Sequence, residues 1–207
     1  MRNFLKFLTI FALITVGYTS IGSANEVSES QQFIEAIGKT VIGSLTNEKL
    51  SQKDRDDILK NVLSRNFDIP KIGHFVLGRY ALGATGEQFG GFLNAFEGYI
   101  LALYSKQFDH YSGEQFKVTK VYEPHSRRNR VVVFAEILSN NKEPIRLSFL
   151  VDSTVKNNFK ILDVKIQGIS MISTLRADYT SFLGQNNGNV DKLTEALKLK
   201  VAQLTSN

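Results

Sequence analysis

Apolar residues recur every three or four positions over much of the first half of the chain. This spacing places them on one face of a helix. It predicts amphipathic helices over about Val27 to Leu45 and Leu50 to Leu63, a short helix over Lys71 to Leu77, and a long aromatic helix that follows Thr85. Thr85 and Gln88 have the spacing of a capping box, in which each side chain binds the backbone amide of the other residue.

After Gly113 the chain changes to short segments of high β-propensity separated by turn residues. Four strands are predicted: Glu114 to Tyr122, Arg130 to Leu138, Pro144 to Asp152 and Asn158 to Ile166. Two further helices are predicted over about Ser170 to Leu183 and Val190 to Leu204. The order of these elements predicts an α+β fold, in which an antiparallel four-stranded meander packs against several helices.

The N-terminal residues have the pattern of an export signal. Arg2 and Lys6 precede a short apolar run over Phe7 to Val16, which small residues follow. We therefore expect a signal peptide over residues 1–24 and a single domain over residues 25–207. A retained membrane anchor is the alternative, but the apolar run is much shorter than the roughly 20 residues that a membrane-spanning helix needs.

The composition gives little support for catalysis. Removal of the predicted signal lowers the formal net charge from +5 to +3, so the mature chain is only mildly basic. The absence of cysteine excludes disulfides, thiolate metal sites and a cysteine nucleophile. Nucleotide-binding glycine motifs and a serine nucleophile elbow are absent as well. His74, His110 and His125 lie far apart in the sequence, and His74 is interpreted as a packing or surface residue.

Basic residues cluster between the first two predicted strands, in the segment HSRRNR. Arg127, Arg128 and Arg130 are the candidate partner-binding residues, because arginines at a hairpin tip can contact phosphates or other anionic groups. A solvated hairpin tip without a partner is the alternative interpretation. Nucleic acid is not expected as a partner of an exported chain.

Two segments resemble a known family: FDIPKIGHFVLGRYALGATGEQFGGFLNAFEGYILALY and, much later, ILDVKIQGISMISTLRADYTSFL. Their order and spacing resemble the MlaC family, the periplasmic phospholipid-binding components of a lipid-asymmetry transport system. The resemblance spans about Ser30 to Leu199. Its most specific elements are Leu77 to Tyr80, the Thr85 and Gln88 pair, and Asp163 to Val164 with the later Arg176.

The resemblance implies a carrier and not an enzyme. An apolar pocket would take the acyl tails of a glycerophospholipid and leave the headgroup near water. The protein would work in the periplasm and shuttle its lipid between an outer-membrane lipoprotein and porin complex and an inner-membrane ABC transporter complex with a lipid-binding subunit. No cofactor is implied.

On the carrier hypothesis, the pocket wall comes from the short helix, the aromatic helix and one face of the sheet. The predicted lipid-binding residues are Phe75, Leu77, Phe92, Phe96, Ile100, Tyr104, Val118, Val133, Leu147, Phe149, Val164 and Ile166. Gly78 and Gly83 are expected to permit a close approach of neighbouring groups. Arg79 is expected to pair with a carboxylate such as Asp163 or to lie near the pocket mouth, because an unpaired buried guanidinium is very unfavourable.

Other interpretations of the same residues remain open. An aromatic stripe at helical spacing is more often part of a filled core than of a pocket. A periplasmic adaptor or chaperone would bind an apolar polypeptide segment in an exposed groove. An enzyme would bring His74 or His110 together with a carboxylate inside a pocket. A carrier of another lipid, such as a hopanoid, also fits the pattern.

Overall fold

A computed structural model gives the fold and describes residues 21–105, 114–124, 129–139, 143–155 and 158–206. The elements in chain order are α1 (Ile21–Leu45), α2 (Gln52–Asn66), α3 (Ile69–Leu77), α4 (Gly86–Ser105), β1 (Gln115–Tyr122), β2 (Arg130–Leu138), β3 (Ile145–Asp152), β4 (Lys160–Ile166), β5 (Ile169–Ser170), α5 (Met171–Gln185) and α6 (Val190–Thr205). A 3-10 helix over Gly78–Gly83 follows α3 directly. This order confirms the predicted α+β class.

The strands form one antiparallel sheet in the order β1-β2-β3-β4-β5. The four predicted strands are all present. The fifth strand was not predicted, because its two residues are too short for an alternating pattern. It folds back on β4 through Gln167 and Gly168, whose positive φ angles of 50° and 84° are those of a tight two-residue hairpin turn.

The N-termini of α4 and α3 are fixed by side chains close to them in sequence. The Thr85 amide donates to Gln88 Oε1 at 3.1 Å, and the Gln88 amide donates to Thr85 Oγ1 at 3.2 Å. The predicted capping box is therefore confirmed. At the start of α3, the Asp68 side chain accepts a hydrogen bond from the Lys71 amide at 3.1 Å.

Buried apolar residues fall into two clusters. We call the first the helical core, and it consists of Leu63, Ile69, Ile72, Val76, Leu77, Phe92, Ala95, Phe96, Leu175, Tyr179, Leu183, Val190, Leu193 and Leu197. We call the second the sheet core, and it lies between α1 and the inner face of the sheet: Ile34, Val131, Val133, Ala135, Phe149, Val151 and Ile161. Two separate clusters leave room for a space between them.

Asp152 at the end of β3 joins the sheet to α3. Its buried carboxylate lies 2.9 Å from Lys71 Nζ and 2.5 Å from Arg130 Nη1, and it accepts a hydrogen bond from the Thr154 amide. Burial alone would raise the pKa of Asp152, but the hydrogen bonds from Thr154 and Lys71 outweigh burial and hold that pKa well below its ordinary value. Because the folded pKa is depressed, this stabilisation is present above the unfolded pKa and is lost only as the pH falls through the folded value.

The C-terminus of α3 depends on a residue from α5. Gly78 follows α3 with a φ of 57°, a conformation that favours glycine. The Arg176 guanidinium of α5 donates to the Phe75 carbonyl and lies 4.8 Å from the centre of the Phe75 ring. A Cβ built on Gly78 would lie 3.1 Å from Arg176 Nη2. Glycine is therefore needed at position 78 for both backbone and packing reasons.

We expect Gly78→Ala to lower the free energy of unfolding by about 2 kcal/mol, through backbone strain and displacement of Arg176. Gly83→Ala is the matched control, since its Cβ would meet nothing within 4 Å. The expectation that Gly83 permits a close approach was therefore wrong. Urea unfolding of both variants measures the difference, and equal midpoints for Gly78→Ala and the wild type would contradict the role given to Gly78.

Candidate functional site

A cavity of about 390 Å³ lies between the helical core and the sheet core. This volume is in the range of about 300–1,000 Å³ that is typical of small-molecule sites. Its described wall is apolar except for the Asp163 carboxylate and the Tyr104 phenol. Burial raises the pKa of Tyr104, so its phenol stays neutral at physiological pH.

The lining residues become more exposed to solvent towards one end of α4 and β4, and this difference indicates where the cavity opens. Phe96 in α4 and Ile161 in β4 are buried, whereas Tyr104 and Ile166, further along the same elements, are only half-buried. Ile145 at the start of β3 is half-buried as well. We call the end of the cavity that Tyr104, Ile145 and Ile166 line the mouth. Phe96 and Ile161 lie at the opposite, more buried end, which we call the closed end.

The predicted lipid-binding residues divide into two groups. Seven of them line the cavity: Phe96, Ile100, Tyr104, Leu147, Phe149, Val164 and Ile166. Their role in binding a lipid stays a prediction. The wall also includes residues of α1 and α2 that the sequence did not single out: Ile37, Gly38, Val41, Ile42, Leu59, Val62 and Leu63.

The other five predicted residues lie away from the cavity. Leu77, Phe92 and Val133 are 0% exposed and belong to the filled cores. Val118 packs against the sheet core, and Phe75 is 40% exposed beneath Arg176. A filled core and a cavity wall have the same hydrophobic period, and for this reason the pattern did not separate these positions from the others.

Arg79 and Asp163 do not pair, and the expected ion pair between them was wrong. Arg79 is also not among the residues that line the cavity, so the alternative place near the pocket mouth is not supported. Arg79 is exposed in the 3-10 helix after α3, where its Nη2 donates to the Tyr80 hydroxyl at 2.9 Å. The Asp163 residue is 6% exposed, and its Oδ1 accepts a hydrogen bond from the Ile172 amide in the first turn of α5. Arg79 keeps contact with water and needs no buried carboxylate, while Asp163 fixes the start of α5 against β4.

Of the candidate residues for catalysis and for partner binding, the structure describes His74 and Arg130, and neither of these lines the cavity. His74 is exposed, and its ring stacks on Phe89 at a centroid distance of 4.2 Å. His110, His125, Arg127 and Arg128 lie outside the described residues, whereas Arg130 pairs with Asp152. Within the described ranges, no group of three or more histidine or acidic residues is placed to bind a metal ion.

Comparisons with known proteins agree with the geometry. A family model described as MlaC protein matches residues 35–199. A search of curated proteins gives no match. Among solved structures, one similar chain is the phospholipid-binding protein from Ralstonia solanacearum in complex with a phospholipid, at a TM-score of 0.74 and 19% sequence identity, over 84% of this chain and 97% of that one. That likeness shows a shared fold. Because the family model covers most of the sequence, this chain belongs to the MlaC family.

Proposed function

We propose that this protein is a phospholipid carrier whose cavity holds the acyl chains of its cargo. The observation that carries the proposal is the apolar cavity of about 390 Å³ between two packed cores. Exposure of acyl chains to water costs about 0.8 kcal/mol per methylene, so two ordinary chains need on the order of 20 kcal/mol of shielding. Membership of the MlaC family and the phospholipid bound by the similar Ralstonia protein support this class of ligand.

The wall supports one orientation of the lipid. A phosphate at the closed end would lose its hydration among apolar side chains, which is strongly unfavourable for a charged group. At the mouth, half-buried residues leave the headgroup in contact with water. The acyl chains therefore point towards Phe96 and Ile161, and the headgroup stays at Tyr104, Ile145 and Ile166.

The carrier works in the periplasm and exchanges lipid with an outer-membrane complex and an inner-membrane transporter complex. Family membership and the export pattern of residues 1–24 support this part of the proposal. Removal of those residues would take only the first turn from α1, which begins at Ile21 and continues to Leu45. None of the described helices is long and apolar enough to span a bilayer.

Because bilayer and cavity are both apolar, transfer between them is close to neutral in free energy, and the partner complexes set its direction. The enclosed end of the cavity favours a lipid over a polypeptide, since a peptide-binding adaptor would need a groove that is open along its length.

A vesicle assay tests the proposal. Purified, delipidated protein is incubated with donor vesicles that contain fluorescent phosphatidylethanolamine, and the protein is then separated and transferred to acceptor vesicles. We expect saturable uptake, delivery to the acceptor vesicles, and competition by unlabelled phospholipid but not by an apolar peptide. Absence of uptake, or displacement of the label by the peptide alone, would contradict a lipid carrier.

A further inference from the structure

Gly38 of α1 lies directly against the ring of Phe116 in β1. A Cβ built on Gly38 would be 2.1 Å from Phe116 Cδ1 and 2.5 Å from Cγ, which is closer than real Cβ contacts come. Both residues line the cavity. The aromatic ring thus rests on the backbone of α1, and its present position is compatible only with glycine at position 38.

The Phe116 ring is bounded by α1 on one side and by the cavity on another. On the sheet, Phe116 lies opposite Ile137, and its ring makes an edge contact with Phe149 at a centroid distance of 6.2 Å. Ile137 and Phe149 also line the cavity. Because Ile137 and Phe149 already pack beside the Phe116 ring, we infer that a ring forced away from α1 would enter the cavity and narrow it.

A second glycine in the same helix shows that this contact is specific. Glycine inside a helix is unfavourable relative to alanine, because it loses more backbone entropy on folding. Gly43 occupies such a position, but a Cβ there would meet nothing within 4 Å. Gly38 has a packing reason that Gly43 lacks.

We propose that the contact between Gly38 and Phe116 sets the width of the cavity and therefore the acyl-chain volume that the protein accepts. Phe116 is the specificity-determining residue, and Gly38 is a positioning residue that acts through it. The identity of the ligand as a phospholipid rests on the proposed function. The contact adds a basis for selection among phospholipids, which is the bulk of their acyl chains.

The test compares the affinities of delipidated variants for dipalmitoyl and dilauroyl phosphatidylethanolamine. We expect Gly38→Ala to bind the dipalmitoyl lipid about tenfold more weakly than the wild type, with a smaller loss for the shorter dilauroyl lipid. Gly43→Ala, the matched control, keeps the wild-type values. Replacing Phe116 by Ala in the Gly38→Ala background removes every Phe116 atom that the new Cβ would meet. We expect this double variant to bind the longer lipid again and to shift the ratio of the two affinities towards it.

If Gly38→Ala fails to fold, Phe116→Ala still tests the contact between these two residues. It enlarges the cavity, so its affinity for distearoyl relative to dilauroyl phosphatidylethanolamine should rise. Wild-type chain preference in both Gly38→Ala and Phe116→Ala would overturn this inference and leave the carrier function standing. A wild-type protein that binds neither lipid would instead overturn the proposed function.

Discussion

Leu147→Glu is expected to abolish phospholipid binding and to leave the fold intact. Leu147 is half-buried on the inner face of β3 and lines the cavity. A carboxylate there would lie among acyl methylenes, and no lysine or arginine is among the described residues that line the cavity. Burial of an unpaired charge is strongly unfavourable. We expect at least about a hundredfold loss of affinity. Phospholipid extracted per mole of purified protein measures the effect.

The empty Leu147→Glu variant should stay folded, because residue 147 is near the mouth and its carboxylate can keep water when no lipid is bound. Ser148→Glu is the matched control: it adds the same charge at the next position, on the opposite face of β3 and opposite Lys165 of β4. Its lipid content should equal that of the wild type. A normal lipid content in Leu147→Glu, or an equal loss in Ser148→Glu, would show that the cavity is not the binding site.

Phe92→Ala is expected to lower the free energy of unfolding by about 4 kcal/mol, the largest effect on stability that we predict. Phe92 is 0% exposed in the helical core, where its ring lies 5.7 Å from that of Phe96 and 6.1 Å from that of Tyr179. Truncation leaves a void that the surrounding helices cannot fill, and the surrounding atoms lose their dispersion contacts. Urea unfolding of delipidated protein measures the change.

Ile100→Ala, two turns further along α4, is the comparison. Ile100 lines the cavity and is half-buried, so its side chain has fewer partners to lose, and we expect a cost of about 1 kcal/mol. Lipid must be removed beforehand, because a bound ligand raises the apparent stability of the folded state. Equal costs for Ile100→Ala and Phe92→Ala would mean that the space beside Ile100 is filled.

Local features of the fold could be predicted well from the sequence. Two local signals define α4: the capping box of Thr85 and Gln88, and the apolar period that follows it. The alternation of apolar and polar residues defines β1 to β4 in the same way. These elements were predictable because each signal acts between residues close in sequence. The short β5 gave no such signal. It depends on Gln167 in a left-handed conformation, which glutamine rarely adopts, so no turn was indicated there.

The cavity itself could be predicted only in part. Phe92 and Phe96 belong to one stripe of α4, and only Phe96 faces the space. Whether a residue of the stripe faces the cavity depends on how far apart the surrounding helices and strands lie. Tertiary contacts set these distances, and the contact of Gly38 with Phe116 is one example. The link between Arg176 and the end of α3 joins residues 101 positions apart and has no local signature either.

Native mass spectrometry of the protein, purified without detergent from the cells that produce it, tests the central claim most directly. We predict a mass that exceeds that of the polypeptide by a phospholipid, and loss of this increment when the protein is extracted with organic solvent. A spectrum that shows only the bare polypeptide from the start would contradict the claim that acyl chains occupy the cavity.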